Sequence, residues 1–440
     1  MKQADIIICG DYVVTMNEKM DLITKGAIAI KDGRIIDIGQ ENSIRKNYLS
    51  KTLIDGKDKA LLPGLINTHT HAAMVYYRGL ADDLPLKEWW EQHMFPAETK
   101  TLNREFILDA LELACLEMIK SGVTTFNDMY FFGDSAAEST IKSGIRGIIG
   151  VGILDFPSVS AKTQEEYFNN VQVLIDKYKG HELITPCISP HALYTCSPET
   201  FKKAQEMAEK HDISIHIHLS ETEWEVSEIL SRYGKRPVNL LHSIGFLSQR
   251  VLAAHCVWLN DEEIDLLAQT GTSVSHCLES NMKLASGFAP IVKMIKSGVN
   301  VSIGTDGAAS NNDLSMIGEM STVAKVHKAI EKDPTAIDDR TTLKMATING
   351  AKALAMEHLI GSLEKGKYAD IVSINLKKPH LTPLYDIYSH IVYSSISSDV
   401  DTVIVNGKLL MENGYVLTLD EDEVIKKSNK WVDQISKFKK

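Results

Sequence analysis

The sequence predicts an α/β protein, a (β/α)8 TIM-type barrel carrying a small β-sandwich assembled from both chain ends. Three observations predict it. Eight apolar, β-branched runs alternate with amphipathic helical patterns through the middle of the chain, as in a parallel sheet covered by helices. The two ends share a different text, short strands separated by tight-turn dipeptides. The middle runs end in histidines and carboxylates, where a barrel keeps its chemistry. An open doubly wound sheet is the alternative, but no GxGxxG follows a strand, so nothing points to a dinucleotide.

Each element follows in order. Residues 1–60 read as the N-terminal part of the β-sandwich. "ADIIICGDYVVTM" and "GAIAIKDGRIIDIG" are rich in Ile and Val, and "KDGR" is a hairpin signal. The barrel is expected over residues 61–365. Its runs begin near Leu61, Gly122, Ile145, Leu183, Ile213, Val251, Gly271 and Gly298. Patterns such as "REFILDALELACLEMIKSG" and "SPETFKKAQEMAEKHD" supply the helices between them. Residues 366–420 return to strand text, "GKYADIVSINL" and "VDTVIVNGKLL", with "NG" as a turn. Residues 421–440, "EDEVIKKSNKWVDQISKFKK", read as a charged terminal helix.

Composition narrows the class of partner. A chain of 440 residues exceeds one ordinary core. The net charge of -11 argues against nucleic acid and against anionic membranes. No stretch approaches the roughly 18 apolar residues of a membrane helix. The N-terminal apolar run is short and is broken by Gly10 and Asp11, unlike a signal peptide. The six cysteines are scattered without a CxxC pair. Buried free thiols and a cytoplasmic location are therefore expected.

The polar strand tips suggest a metal centre. The first run, "LLPGLINTHTH", ends in His69 and His71, which share one face because strand side chains alternate. Later runs end in His191, in His216, His218 and Glu221, in His255, in His276, and in Asp306. One HxH alone is a weak signal, more often a packed pair than a ligand pair, and only after an apolar run that opens a barrel do the two readings balance. The set is different, because packing alone does not put a histidine or carboxylate at the tips of separate strands. Neutral imidazoles and a carboxylate suit zinc, and also iron or manganese. His69, His71, His218 and Asp306 would leave a position for water, whose pKa a bound metal lowers towards ~7. Glu221, His255 and Asp306 are the acids and bases at hand. His216 is read as a packed or hydrogen-bonded barrel residue, and His276 as a residue behind the site.

These residues, in this order, resemble the amidohydrolase superfamily across nearly the whole chain. More narrowly they look like its 5′-methylthioadenosine/S-adenosylhomocysteine deaminases. "LPGLINTHTHAAMVYYRGLADDLPLKEWW", "ISPHALYTCSPE", "IHIHLSETEWEV", "SNMKLASGFAPI" and "GTDGAASNNDLSM" carry the resemblance. It implies a zinc-dependent hydrolase with one metal per subunit, held by His69, His71, His218 and Asp306. It implies that Glu98, in "FPAET", holds the ribose hydroxyls and that His191 contacts the purine. Glu221 would protonate a ring nitrogen, and His255 would orient the water or stabilise the oxyanion. Trp89, in "LKEWW", would line the pocket beside the 5′ substituent, and Ser310 would bond near Asp306. Arg146 is the candidate partner for the carboxylate of S-adenosylhomocysteine.

The chain departs from the family's pattern twice. Family members often carry arginines after the second and third barrel strands, where this chain offers Arg146 and then Gly150, Val151 and Gly152. Leu278 stands where relatives commonly have proline. The expected substrate is thus a small-molecule nucleoside: 5′-methylthioadenosine, S-adenosylhomocysteine, 5′-deoxyadenosine or adenosine. A free base, a pterin or an s-triazine on the same scaffold is the rival. A non-catalytic scaffold is the rival of another class, disfavoured because every expected ligand is present. The resemblance leaves a homo-oligomer open.

Overall fold

In the computed structural model, which describes residues 1–439, the run "LLPGLINTHTH" is two strands. Lys59–Pro63 belongs to the small sheet, and Leu65–Thr70 is strand one of the barrel. They part at Gly64, where a Cβ would lie 2.0 Å from Thr124 Oγ1. Only glycine lets the chain cross between the two sheets so close to strand two. The residue-61 boundary therefore falls inside a strand of the small sheet.

The eight apolar runs form one parallel sheet in chain order. Strand one is followed by Val123–Tyr130, Arg146–Ile153, Ile184–Pro190 and Ser214–Leu219. Strands six to eight are Val251–His255, Ser273–His276 and Val301–Ile303. Backbone and side-chain hydrogen bonds help close strand eight onto strand one. Asp306 N donates to His69 O at 2.9 Å. The Asn67 amide donates to Thr305 Oγ1 and accepts from Thr305 N, at 2.7 and 3.0 Å. The Thr68 hydroxyl reaches Ile303 O at 2.9 Å.

The helices start where their caps say. Asn103 accepts from Phe106 N at the head of Arg104–Lys120, and Ser197 accepts from Thr200 N at the head of Pro198–His211. The "KDGR" and "NG" signals are both two-residue hairpins. Asp32 and Gly33, and Asn406 and Gly407, all have positive φ, as a type I′ turn demands. The end strands make one hydrogen-bonded sheet of nine, and Ile6, Ile8, Ile28 and Ile30 from its N-terminal strands share one buried core with Ile371 and Ile404 from its C-terminal strands. Its halves meet where Lys59–Pro63 pairs antiparallel with Ile371–Asn375. The terminal helix Glu421–Ile435 lies on the barrel helix Arg104–Lys120. There Trp431 meets Phe106 edge-on at 5.0 Å and donates to Asp109 Oδ2 at 3.0 Å. All six cysteines are buried and free.

Candidate active site

The polar strand tips converge. His69 lies in strand one and His71 just beyond it, His218 in strand five, His255 at the end of strand six, and Asp306 just past strand eight. Four residues where the chain leaves these strands hold left-handed backbone: Ser220 (φ 51°), His255 (φ 72°), Cys256 (φ 50°) and Asp306 (φ 64°). Non-glycine residues sit there only under strain, which clusters at functional sites.

Four side chains aim at one point. Asp306 Oδ1 lies 3.2 Å from His69 Nε2 and 3.4 Å from His71 Nε2. His71 Nε2 lies 3.1 Å from His218 Nε2. The other ring nitrogens are committed elsewhere. His71 Nδ1 donates to Met129 O at 2.5 Å, and His218 Nδ1 to His191 O at 3.1 Å. A carbonyl can only accept, so both Nε2 atoms carry lone pairs when these rings are neutral. His69 Nε2 is buried without a hydrogen-bond partner, and His69 Nδ1 is backed by His216 Nε2 at 2.8 Å. Burial pushes His69 down to about 4 and His218 well below the usual imidazole range, so both are neutral near pH 7. Three imidazole nitrogens and a carboxylate oxygen facing one another is a poor arrangement for packing and a good one for a divalent cation. This donor set fits a metal of the zinc, iron(II) or manganese(II) kind.

The remaining polar groups surround that point. Asp306 Oδ1 accepts from Gly307 N at 2.7 Å, and Oδ2 accepts from Ser280 Oγ at 2.6 Å and Ser310 Oγ at 3.0 Å. Glu221 Oε2 lies 3.7 Å from His255 Nε2, and Oε1 accepts from Ser286 Oγ at 3.4 Å. Burial raises the Glu221 carboxyl. Burial pushes His255 down, but Glu221 and Asp306 beside it outweigh this and hold it above the ordinary imidazole range. The two groups are coupled: an ionised Glu221 favours the charged ring of His255, and His255 in turn works against the burial of Glu221.

His71, His218, Glu221, His255, Ser286, Asp306 and Ser310 line a cavity of about 390 Å³ at the barrel mouth. Its walls are largely apolar, with Trp89, Trp90, Phe95 and Tyr194 among them. Glu98 also faces it, buried, and accepts from the Tyr130 hydroxyl at 2.5 Å. Burial pushes Glu98 up to about 7, against the effect of that bond. His191 lies in the wall beside His218, with ring centroids 4.5 Å apart. His216 bonds His69 and Asn127, while His276 pairs with His327 at 2.9 Å.

One expected contact is corrected. Arg146 opens strand three at the barrel's opposite end and is 2% exposed. Its guanidinium grips Asp370 at 3.1 and 3.2 Å and Glu182 O at 2.7 Å. It is absent from the cavity, where Gly152, six residues on, takes the strand's place in the wall. The resemblance had suggested a carboxylate clamp, with a place away from the site as the alternative; position on the strand decides for the alternative. The sequence reading also passed over Tyr130, Ser280, Asn281 and Ser286. Neutral polar residues announce no chemistry until their neighbours are known, although three of them lie in or beside "SNMKLASGFAPI".

The comparisons agree with this geometry. A 5-methylthioadenosine/S-adenosylhomocysteine deaminase of Thermodesulfovibrio yellowstonii is 53% identical over 431 residues, 98% of each chain. A 5′-deoxyadenosine deaminase of Methanosarcina mazei is 46% identical over 434 residues, again 98% of each. A crystal structure of a zinc-bound adenosine deaminase from Xanthomonas campestris superposes with a TM-score of 0.98. It is 37% identical and covers 99% of both chains. The amidohydrolase family profile matches residues 60–410, a span that holds all eight barrel strands and every side chain of the site. With both the scaffold and the whole sequence in agreement, the chain belongs to the amidohydrolase family.

Proposed function

We propose that the protein is a hydrolytic deaminase of adenosine analogues, using water to replace the 6-amino group and releasing ammonia and the inosine analogue. The observation that carries this reading is one cavity with two kinds of polar equipment. Its floor is formed by His71, His218 and Asp306, with His69 buried directly against them, and its wall holds the buried carboxyl of Glu98. A diol acceptor suits a nucleoside and is superfluous for a bare base. The printed activities of the relatives point the same way.

His69, His71, His218 and Asp306 would hold one zinc ion, with iron(II) or manganese(II) as substitutes. When bound, such an ion acidifies its water towards neutrality and so supplies the nucleophile. The chain's own groups handle the rest. Glu221 delivers a proton to a purine ring nitrogen as the water attacks the adjacent carbon. His255 orients that water and bears the charge that grows on its oxygen. Asp306 accepts the water's proton and passes it to the departing amine, so that ammonia leaves neutral. Glu98 accepts the ribose hydroxyls, His191 meets the purine edge, and Trp89 covers the 5′ end. Ser310 holds Asp306 in place. Among the described residues, the one cation in the cavity lining is Lys87, whose Nζ sits 5.0 Å over the Trp224 ring. No arginine fork is there for a carboxylate. 5′-Methylthioadenosine and 5′-deoxyadenosine are therefore expected to outrank S-adenosylhomocysteine. The six buried free thiols suit a reducing cytoplasm.

The test is kcat/KM for ammonia release from 5′-methylthioadenosine, 5′-deoxyadenosine, S-adenosylhomocysteine and adenosine with metal-replete protein. His218→Ala is expected to lose both bound metal and turnover. Full activity of that variant after exhaustive chelation would defeat the metal reading. Silence on all four nucleosides would move the substrate to a free base or triazine.

A further inference from the structure

One short segment touches all three groups that the proposed reaction uses to move protons. It begins just after strand seven, as the helical turn Leu278–Lys283, and runs on to Ser286. Ser280 Oγ donates to Asp306 Oδ2 at 2.6 Å. Asn281 Oδ1 accepts from His255 Nδ1 at 2.9 Å. Ser286 Oγ donates to Glu221 Oε1 at 3.4 Å. All three side chains are buried. The segment is tied to itself, because Ser286 N donates to Asn281 O at 2.8 Å. It is also tied to the loops around the mouth. Lys283 Nζ bonds Asp82 at 2.6 Å, Ala309 O at 3.3 Å and Asn312 Oδ1, and Trp258 Nε1 donates to Ser286 O at 2.7 Å.

Asn281 is the informative member. Its side-chain oxygen serves His255, while its buried Nδ2 has no hydrogen-bond partner among the described residues. An asparagine kept in an apolar setting with an idle donor is costly to stability, so packing alone does not account for it. What it does achieve is chemical. With Nδ1 of His255 committed to an acceptor, Nε2 is the nitrogen turned towards Glu221, 3.7 Å away, and towards the cavity.

We propose that Asn281 is a positioning residue that fixes the ring of His255 for proton handling. Ser280 and Ser286 do the same for Asp306 and Glu221, so that one segment after strand seven sets the spacing of all three. The proposal rests on the deaminase reading and adds to it three residues that act through others. A misplacement of about 1 Å at a reacting group costs about 100-fold, so a device that sets three such placements together is worth keeping.

The experiment uses the full-length, metal-loaded protein with the best of the four nucleosides. Asn281→Ala is expected to lower kcat about 10- to 100-fold, with KM, metal stoichiometry and melting temperature near those of the parent. Asn281→Asp, which keeps an acceptor oxygen, is expected to recover most of the loss. An unchanged kcat in Asn281→Ala, or equal losses in the two variants, would overturn the proposal. If Asn281→Ala fails to fold or to hold metal, Ser286→Ala decides: a lower kcat at constant KM supports the proposal, and an unchanged kcat overturns it. Failure here is distinct from failure of the deaminase reading, in which the parent itself would release no ammonia.

Discussion

Glu98 is a carboxyl whose hydrogen-bond partner among the described residues is the Tyr130 hydroxyl, and burial lifts it to about 7. The sign of its pH dependence follows. Above that value the carboxylate can accept both ribose hydroxyls, and below it the protonated acid cannot. KM for a nucleoside is therefore expected to rise about tenfold between about pH 8 and about pH 6, and Glu98→Gln is expected to flatten the profile. A flat profile in the parent would remove Glu98 from the ribose. The residues that could be read in advance were those whose type is itself a statement. His69, His71, His218 and Asp306 each announce a ligand, and their order announces a set. Tyr130 and Asn281 could not be read, because a hydroxyl or an amide acquires its role only from the group it faces.

At the scale of elements, the seam between strands eight and one leaves no room for a side chain. Gly304 lies in it. An added Cβ there would stand 2.6 Å from Ser275 Oγ, 2.7 Å from His69 N and 2.8 Å from His69 Cβ. Gly304→Ala must push strand one away, and His69 with it. The expected result is a loss of bound metal together with about 1–3 kcal/mol of stability, read by metal analysis and a melt. Parental values for both would mean that the seam yields without moving its ligands. The eight runs were legible because fully buried strands leave continuous apolar text. The stretch between strand one and the first long helix was not. It is built of the short 3-10 segment Ala72–Tyr77 and of one continuous helical run from Leu86 to Thr101 whose middle, Trp89–Met94, is π-helical, so the apolar positions depart from the 3.6-residue period of an α-helix. Yet this stretch carries Trp89 and Glu98 to the cavity.

At the scale of the whole molecule, Arg146 is a fastening between the two sheets. Asp370 immediately precedes the small-sheet strand Ile371–Asn375 and also accepts from Asn406 N at 2.7 Å. Removing one partner of a buried pair leaves the other charge stranded, at a cost of about 3–5 kcal/mol. Arg146→Ala is expected to lower the melting temperature while leaving the ratio of rates on S-adenosylhomocysteine and 5′-methylthioadenosine unchanged. A selective collapse of the S-adenosylhomocysteine rate would return Arg146 to the substrate.

The join between Lys59–Pro63 and Ile371–Asn375 has a consequence in time. The ribosome delivers the second strand about 300 residues after the first, an interval of roughly 15–60 s at ordinary elongation rates. Throughout it the N-terminal strands can pair with one another, but Lys59–Pro63 has one edge bare, with Leu61 and Leu62 not yet covered. An unpaired apolar edge is an invitation to the wrong strand. The nascent chain is thus most exposed to mispairing, and most in need of a chaperone, while its catalytic barrel is still being made.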